Sequence, residues 1–210
     1  MPARFPDAAA AVLDRSDALA RRAEALIARL RVRELWYRAG LVVPVGALRF
    51  GLMASPNIDY EIYAERPDPA TGDAVMGELA AAPGVTGLER HDFMANPDDP
   101  GLYWRLDCRD EDGAAWDFDF WLVPFSHPHA GMAEAFARAM NAALTPRTRA
   151  IILPLKAALA DRARTQGQVR PRGVDIYRAV LDGGVRDMAG FDAWRAVNPP
   201  PELETWRPGR

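Results

Sequence analysis

The 210-residue sequence predicts an α+β fold, in which a strand-rich half flanked by helices precedes an all-helical half. Three observations carry the prediction. Residues 57–64 and 115–123 alternate apolar with polar side chains at period two, as strands with one buried face do. The run Arg109-Asp-Glu-Asp-Gly113 between 102–108 and 115–123 has the composition of a hairpin turn. Before residue 37 and after residue 130, apolar residues recur at helical spacings.

The elements follow in chain order. Residues 7–36 read as one helix, with Leu13, Leu19, Ala23, Leu26, Ile27 and Leu30 on its apolar stripe and arginines in the gaps. Residues 41–45 form a short buried strand that Gly46 breaks, 47–54 a short helix, and 57–64 the next strand. Residues 67–82 hold a helix that Gly72 interrupts and Pro83-Gly84 ends. A strand of mixed pattern at 85–93 and a loop at 96–101 lead into the hairpin. The character changes after Phe125. A loop at 126–129 precedes a helix at 130–144. Thr145 and Pro146 then supply an N-cap and a first-turn proline for a helix to about residue 165, which Gly167 ends. Residues 174–181 and 191–197 are the last helices. The tail from Asn198 contains four prolines and reads as an ordered crossing or a loose end. The expected organisation is a core at 1–127 and a helical lobe at 128–210, packed as one compact unit.

With 49% hydrophobic and 26% charged residues the composition is that of an ordinary globular protein. The single Cys108 excludes a disulfide within the chain and fits a reducing compartment. The apolar run at 8–13 is short and lies between Asp7 and Asp14, unlike a signal peptide, and the run at 150–155 is far below spanning length. A cytoplasmic location without a membrane partner is expected. The net charge of −3 gives no pull toward long nucleic acids. Charge is unevenly placed, however: residues 138–178 carry nine basic side chains against Asp161 and Asp175, leaving the rest of the chain strongly acidic. Such asymmetry suits a site for a metal and a polyphosphate, and equally a set of solvated helix faces.

The acids on the two alternating strands are the sharpest candidates. Asp59 and Glu61 share one strand face, and Asp117 and Asp119 share another. Carboxylates projected from neighbouring strands suit Mg²⁺, which takes oxygen ligands in octahedral geometry; a solvated strand face is the alternative for Asp117 or Asp119. Arg49, in the first turn after Gly46, suits an anion or open solvent. Lys156 interrupts the apolar run 151–155, so it either snorkels to water or reaches a phosphate. His127 and His129 flank Pro128 in a loop, a poor setting for a metal. Ser55 and Ser126 lack the context of a nucleophile. Tyr103, Trp104, Trp116 and Trp121 read as hairpin core, with one ring available to stack on a base.

The order of these pieces resembles the nucleotidyltransferase superfamily, to which DNA polymerase beta and the aminoglycoside nucleotidyltransferases belong. In that pattern an apolar strand ends in Gly followed by Gly or Ser, an acid–apolar–acid–apolar strand follows, and a third acid lies on a later strand. Here Gly46-Ala47 ends the first strand, eleven residues separate Ala47 from Asp59, and Asp59-Tyr60-Glu61-Ile62 follows. The string Gly46-Ala-Leu-Arg-Phe-Gly-Leu52 also looks like the small bacterial members, which read Gly-Ser-x-Arg-x-Gly-Leu. The match covers about residues 41–123. It departs in two respects. Ala47 lacks the hydroxyl of the family's serine. The acid register is also double, because Asn57-Ile58-Asp59 fits the spacing as well as Asp59-Tyr60-Glu61 does. Asp59 with Glu61 is the favoured pair.

The resemblance implies an Mg²⁺-dependent transfer of a nucleoside monophosphate from a nucleoside triphosphate to a hydroxyl of a small molecule or protein. It assigns Asp59, Glu61, Asp117 and Asp119 to metal, and Asp59 and Asp119 to catalysis, Asp119 as the proton acceptor with Asp117, on the same side one step away, able to substitute. Gly46, Ala47, Arg49 and Lys156 would bind the nucleotide. The departures at Ala47 and Asn57 imply a second possibility, a catalytically degraded member that binds a nucleotide or protein. A metal-dependent phosphohydrolase using the same acids is a third.

Overall fold

The computed structural model describes residues 5–200 and 206–209. Residues 1–4 of the expected core, and residues 201–205 and 210 of the expected tail, lie outside them. Five strands form one mixed sheet in the order β1-β2-β5-β4-β3, where β1 is Leu41–Val45, β2 Asn57–Ala64, β3 Val85–Asp92, β4 Leu102–Arg109 and β5 Ala115–Pro124. The pairing of β2 with β5 is parallel and every other pairing antiparallel. The hairpin between β4 and β5 closes on Asp110, whose Oδ1 accepts the backbone N–H groups of Asp112 and Ala114. Gly113 supplies the left-handed conformation of that turn, at φ 80°.

The alternation read from the sequence sorts the two faces of the sheet. Ile58, Tyr60, Ile62, Leu102, Trp104, Leu106, Trp116, Phe118, Phe120 and Leu122 are buried on one face. Helices cover it. The expected single helix at 7–36 is broken into α1, Phe5–Arg29, and α2, Val32–Trp36, with Arg31 between them at φ 54°. The break re-aims the chain so that Val32, Leu35 and Trp36 are buried. Trp36 then packs against Trp104 and Phe120 at ring separations of 5.5 and 5.2 Å. Burial of one large aromatic outweighs a left-handed residue, which costs roughly 1–2 kcal/mol.

Helix α3, Pro69–Ala80, starts at Asp68, whose carboxylate accepts the N–H groups of Ala70 and Thr71. Gly72 does not interrupt it. Gly72, Val75, Met76 and Leu79 are its buried residues, at helical spacing. Gly72 is small because a Cβ there would lie 2.3 Å from the Trp104 ring.

The chain divides into two units that do not follow sequence order. One comprises residues 19–49 and 56–137 and contains the sheet. The other comprises residues 1–18, 50–55 and 138–210. The second contains α5, Pro146–Gln166, α6, Gly173–Leu181, α7, Met188–Val197, and part of α4, Met132–Ala143. Thr145 and Thr148 form a reciprocal cap at the start of α5, and Gly167 ends it at φ 63°. The helix expected at 47–54 is a single 3-10 turn, Ala47–Phe50. Carbonyls that would continue a helix are engaged elsewhere: Gly51 O accepts from Arg149 Nε at 3.0 Å and Leu52 O from Lys156 Nζ at 2.6 Å.

Gly72→Ala tests the packing of α3 on the sheet. In an open helix this change stabilises by up to about 1 kcal/mol, but here the methyl meets Trp104, and overpacking of that kind costs roughly 1–3 kcal/mol. Urea unfolding should therefore show a net loss of stability.

Candidate functional site

The parallel pairing of β2 with β5 builds the site. It sets Asn57 opposite Asp117, Asp59 opposite Asp119 and Glu61 opposite Trp121. Pairing of β5 with β4 adds Asp107 beside Asp117, Arg105 beside Asp119 and Tyr103 beside Trp121. These residues share the sheet face away from the buried one, because strand side chains alternate. On the other flank, β1 sets Val45 opposite Asp59. The chain turns at Gly46 with φ 68°, and a Cβ there would lie 2.1 Å from Asp59 Oδ2. Glycine is thus required twice over, for its backbone conformation and for the room that the Asp59 carboxylate takes.

The acids are held by short polar contacts. Asn57 Nδ2 donates to Asp117 Oδ2 at 2.6 Å and to Asp119 Oδ2 at 2.9 Å. The Tyr103 hydroxyl donates to Asp119 Oδ1 at 2.5 Å, so both oxygens of Asp119 accept a hydrogen bond. Arg105 Nε lies 3.1 Å from Asp107 Oδ1, and its Nη2 lies 3.6 Å from Asp117 Oδ1. Burial pushes the Asp117 carboxyl above the usual carboxylate range, against the opposing pull of Asn57 and Arg105. Asp117 is therefore the carboxylate suited to taking up a proton.

Glu61 stands one step along the same face in different company. Its Oε2 accepts from the Tyr63 hydroxyl at 2.5 Å, and that hydroxyl in turn accepts the backbone N–H of Gly131 at 3.2 Å. Burial raises the Glu61 carboxyl, and burial together with Glu61 raises the Tyr63 hydroxyl to about 12. Val43, Tyr63 and Val123, with Val45 and Trp121, form a small apolar cluster on this part of the sheet.

The remaining candidates lie elsewhere in the two units. Ala47 and Arg49 belong to the 3-10 turn, Arg49 with its side chain exposed and its N–H on Gly46 O at 3.2 Å. Four residues of 3-10 helix supply little of the dipole that a longer helix would turn on an anion. Lys156 belongs to the helical unit, is 6% exposed, and donates to Leu52 O and, at 3.0 Å, to the Tyr177 hydroxyl. It therefore does not snorkel. His127 and His129 sit in a turn where His127 Nδ1 accepts the N–H of His129. Cys108 is buried, and burial lifts its thiol to about 11, which suits packing rather than nucleophilic attack. Trp104 and Trp116 are core residues, whereas Tyr103 and Trp121 lie on the acidic face.

Sequence reasoning missed Arg105 and Asp107 and misplaced Tyr103. The signal was present in β4, where Tyr103, Arg105 and Asp107 alternate with buried Trp104, Leu106 and Cys108.

Oxygen donors from Asp59 and Asp119, paired in register, match the chemistry of a hard cation, and Mg²⁺ is commonly held by one or two carboxylates with substrate phosphates completing its shell. Among the described residues no group of three or more His, Cys, Asp or Glu side chains is placed to hold a metal ion.

Glu61→Gln separates the neighbouring carboxyl from the acid pair by its pH dependence. A raised folded-state value means that the folded chain binds this proton more tightly than the unfolded chain. Its contribution to stability is therefore full below the ordinary carboxylate range and is lost as pH rises through the raised value. The melting temperature of Glu61→Gln relative to wild type should rise between pH 4 and pH 7; a relative fall would mean that the ionised carboxylate is structurally required.

No family model matches this chain, and no curated protein matches it; what the site residues do is argued from their geometry and chemistry.

Proposed function

We propose that the chain is an Mg²⁺-dependent nucleotidyltransferase, moving a nucleoside monophosphate from a nucleoside triphosphate to a hydroxyl of a small molecule or protein. The observation that supports this most is the register of Asp59 with Asp119 on parallel strands, with the Gly46 backbone against the Asp59 carboxylate. Asp59 and Asp119 would hold the cation. When bound, Mg²⁺ supplies charge neutralisation at the phosphates and acidifies a hydroxyl beside it. Tyr103 and Asn57 fix the orientation of Asp119 through its two oxygens. Asp117, with its raised affinity for a proton, takes the proton of the acceptor hydroxyl. Glu61, tied to Tyr63, keeps an apolar corner in place rather than serving the phosphates.

A second reading rests on Asn57. Its amide already gives Asp117 and Asp119 the donors that a cation would otherwise replace. A fold that has put a neutral amide in an acid's place is suited to binding a nucleotide or protein without turnover.

The two readings differ in titrations with Mg²⁺ and a non-hydrolysable nucleoside triphosphate. On the enzyme reading, Asp59→Asn and Asp119→Asn each weaken Mg²⁺-dependent nucleotide binding by roughly tenfold or more, since affinity follows the charge of the ligand set. Wild type also releases pyrophosphate when an acceptor is present. On the second reading wild type releases none, and Asn57→Asp strengthens cation binding while lowering the melting temperature without metal, because three carboxylates then face one another. No Mg²⁺-dependent nucleotide binding in wild type or in Asn57→Asp would overturn both.

Gly46→Ala gives an independent measurement. The methyl would displace the Asp59 carboxylate and force a left-handed backbone on alanine, at roughly 1–2 kcal/mol. It should match Asp59→Asn in lost nucleotide affinity; unchanged affinity would place the phosphates away from Gly46.

A further inference from the structure

Beside the acid pair, on the same face of the sheet, four aromatic rings close on one another. Strand pairing sets His91, Tyr103, Trp121 and Glu61 side by side across β3, β4, β5 and β2. The neighbouring row, in the same strand order, is Glu89, Arg105, Asp119 and Asp59. Phe93, just past β3, completes the group, its ring 5.8 Å from His91 and 5.6 Å from Trp121. Tyr103 lies 5.8 Å from His91 and 4.9 Å from Trp121. We propose that this platform stacks the base of a purine nucleoside triphosphate. The inference rests on the reading of Asp59 and Asp119 as the cation site, and names the class of nucleotide that the site takes.

The rings are held in place without being covered. Gly101 makes room for half-buried Trp121, since a Cβ there would lie 3.1 Å from the indole ring. The Phe93 backbone N–H donates to Gly101 O at 2.8 Å, which fixes the start of its loop. Phe93 is nevertheless 39% exposed, and His91 is exposed as well. Trp121 backs onto the small apolar cluster at Val43, Tyr63 and Val123, but that contact accounts for neither Phe93 nor His91. The core aromatics Trp36, Trp104 and Phe120 are fully buried on the opposite face. Exposed rings gathered in one patch mark a binding surface, and rings already ordered bind a flat partner at little entropic cost.

The surroundings of the platform identify its occupant. The Tyr103 hydroxyl donates to Asp119 Oδ1 at 2.5 Å, so one side chain belongs both to the rings and to the acid pair. Trp121 stands two residues along β5 from Asp119, about 6.6 Å at the rise of a strand. The sugar of a nucleotide separates its α-phosphate from its base by a similar length. A nucleotide whose phosphates meet a cation at Asp59 and Asp119 therefore reaches the rings with its base. Stacking grows with the ring area in contact, so a purine gains more than a pyrimidine. Ring faces carry no pattern of donors and acceptors, so the platform itself does not separate adenine from guanine.

The test is calorimetric titration of the full chain with Mg²⁺ present. The probes are α,β-methylene analogues of adenosine and cytidine triphosphate, and inorganic triphosphate, which has no base. The proteins are wild type, Phe93→Ala and Phe93→Tyr. Wild type should bind the adenine analogue about tenfold more tightly than inorganic triphosphate, in the range of one stacked base, with the cytosine analogue between them. Phe93→Ala should remove most of that advantage and leave the affinity for inorganic triphosphate unchanged. Phe93→Tyr keeps the ring and should bind as wild type does. If wild type binds inorganic triphosphate as tightly as the adenine analogue, the platform is overturned and the cation site stands. Full affinity for the adenine analogue in Phe93→Ala also overturns the platform alone. Equal affinity for the two nucleotide analogues overturns the assignment of a purine. Binding of none of the three probes overturns the cation site and this inference with it.

Discussion

The parallel ladder between β2 and β5 is the constraint on which the sheet unit depends. It joins two segments about sixty residues apart in sequence, and its register decides two things at once. On one face it stacks Ile58, Tyr60 and Ile62 beside Phe118, Phe120 and Leu122, the centre of the apolar core. On the other face it sets Asp59 beside Asp119. A slip of one residue would reverse both faces, sending carboxylates into the core and aromatic rings into water. The cost of burying charge therefore enforces the same register that creates the acidic site. Stability and site geometry have one cause.

Like charges held side by side repel, and the fold answers with local donors rather than distance. Asn57, Tyr103 and Arg105 each reach Asp117 or Asp119. Only Arg105 carries charge, and it is shared with Asp107.

Lys156 shows how a residue with chemical potential is absorbed by structure. Its amine is held by the Leu52 carbonyl and the Tyr177 hydroxyl, and Arg149 holds the adjacent Gly51 carbonyl. Together they fix the segment 50–55 on the helical unit, although it lies in sequence between β1 and β2. A lysine on an apolar helix face reads in sequence as a ligand or as a snorkelling side chain. The carbonyl that holds its amine lies some hundred residues earlier.

The sequence by itself determined what depends on local period and local chemistry. The α+β class, the five strands, the Asp110 hairpin, the Thr145 cap and the α5 terminus at Gly167 follow from alternation, turn composition and capping, each settled within a few residues. The acidic faces of β2 and β5 were legible for the same reason. Tertiary structure decided what depends on partners distant in sequence. The break at Arg31 exists because Trp36 finds Trp104 and Phe120. Gly72 stays within a helix because that same Trp104 ring needs the space. Asn57 turns its amide to Asp117 and Asp119, while Glu61 turns to Tyr63; nothing in the alternating pattern distinguishes these two positions, since both lie on one face of one strand. Periodicity gives each side chain its face. Only the neighbouring strands, by their order and register, give it a partner.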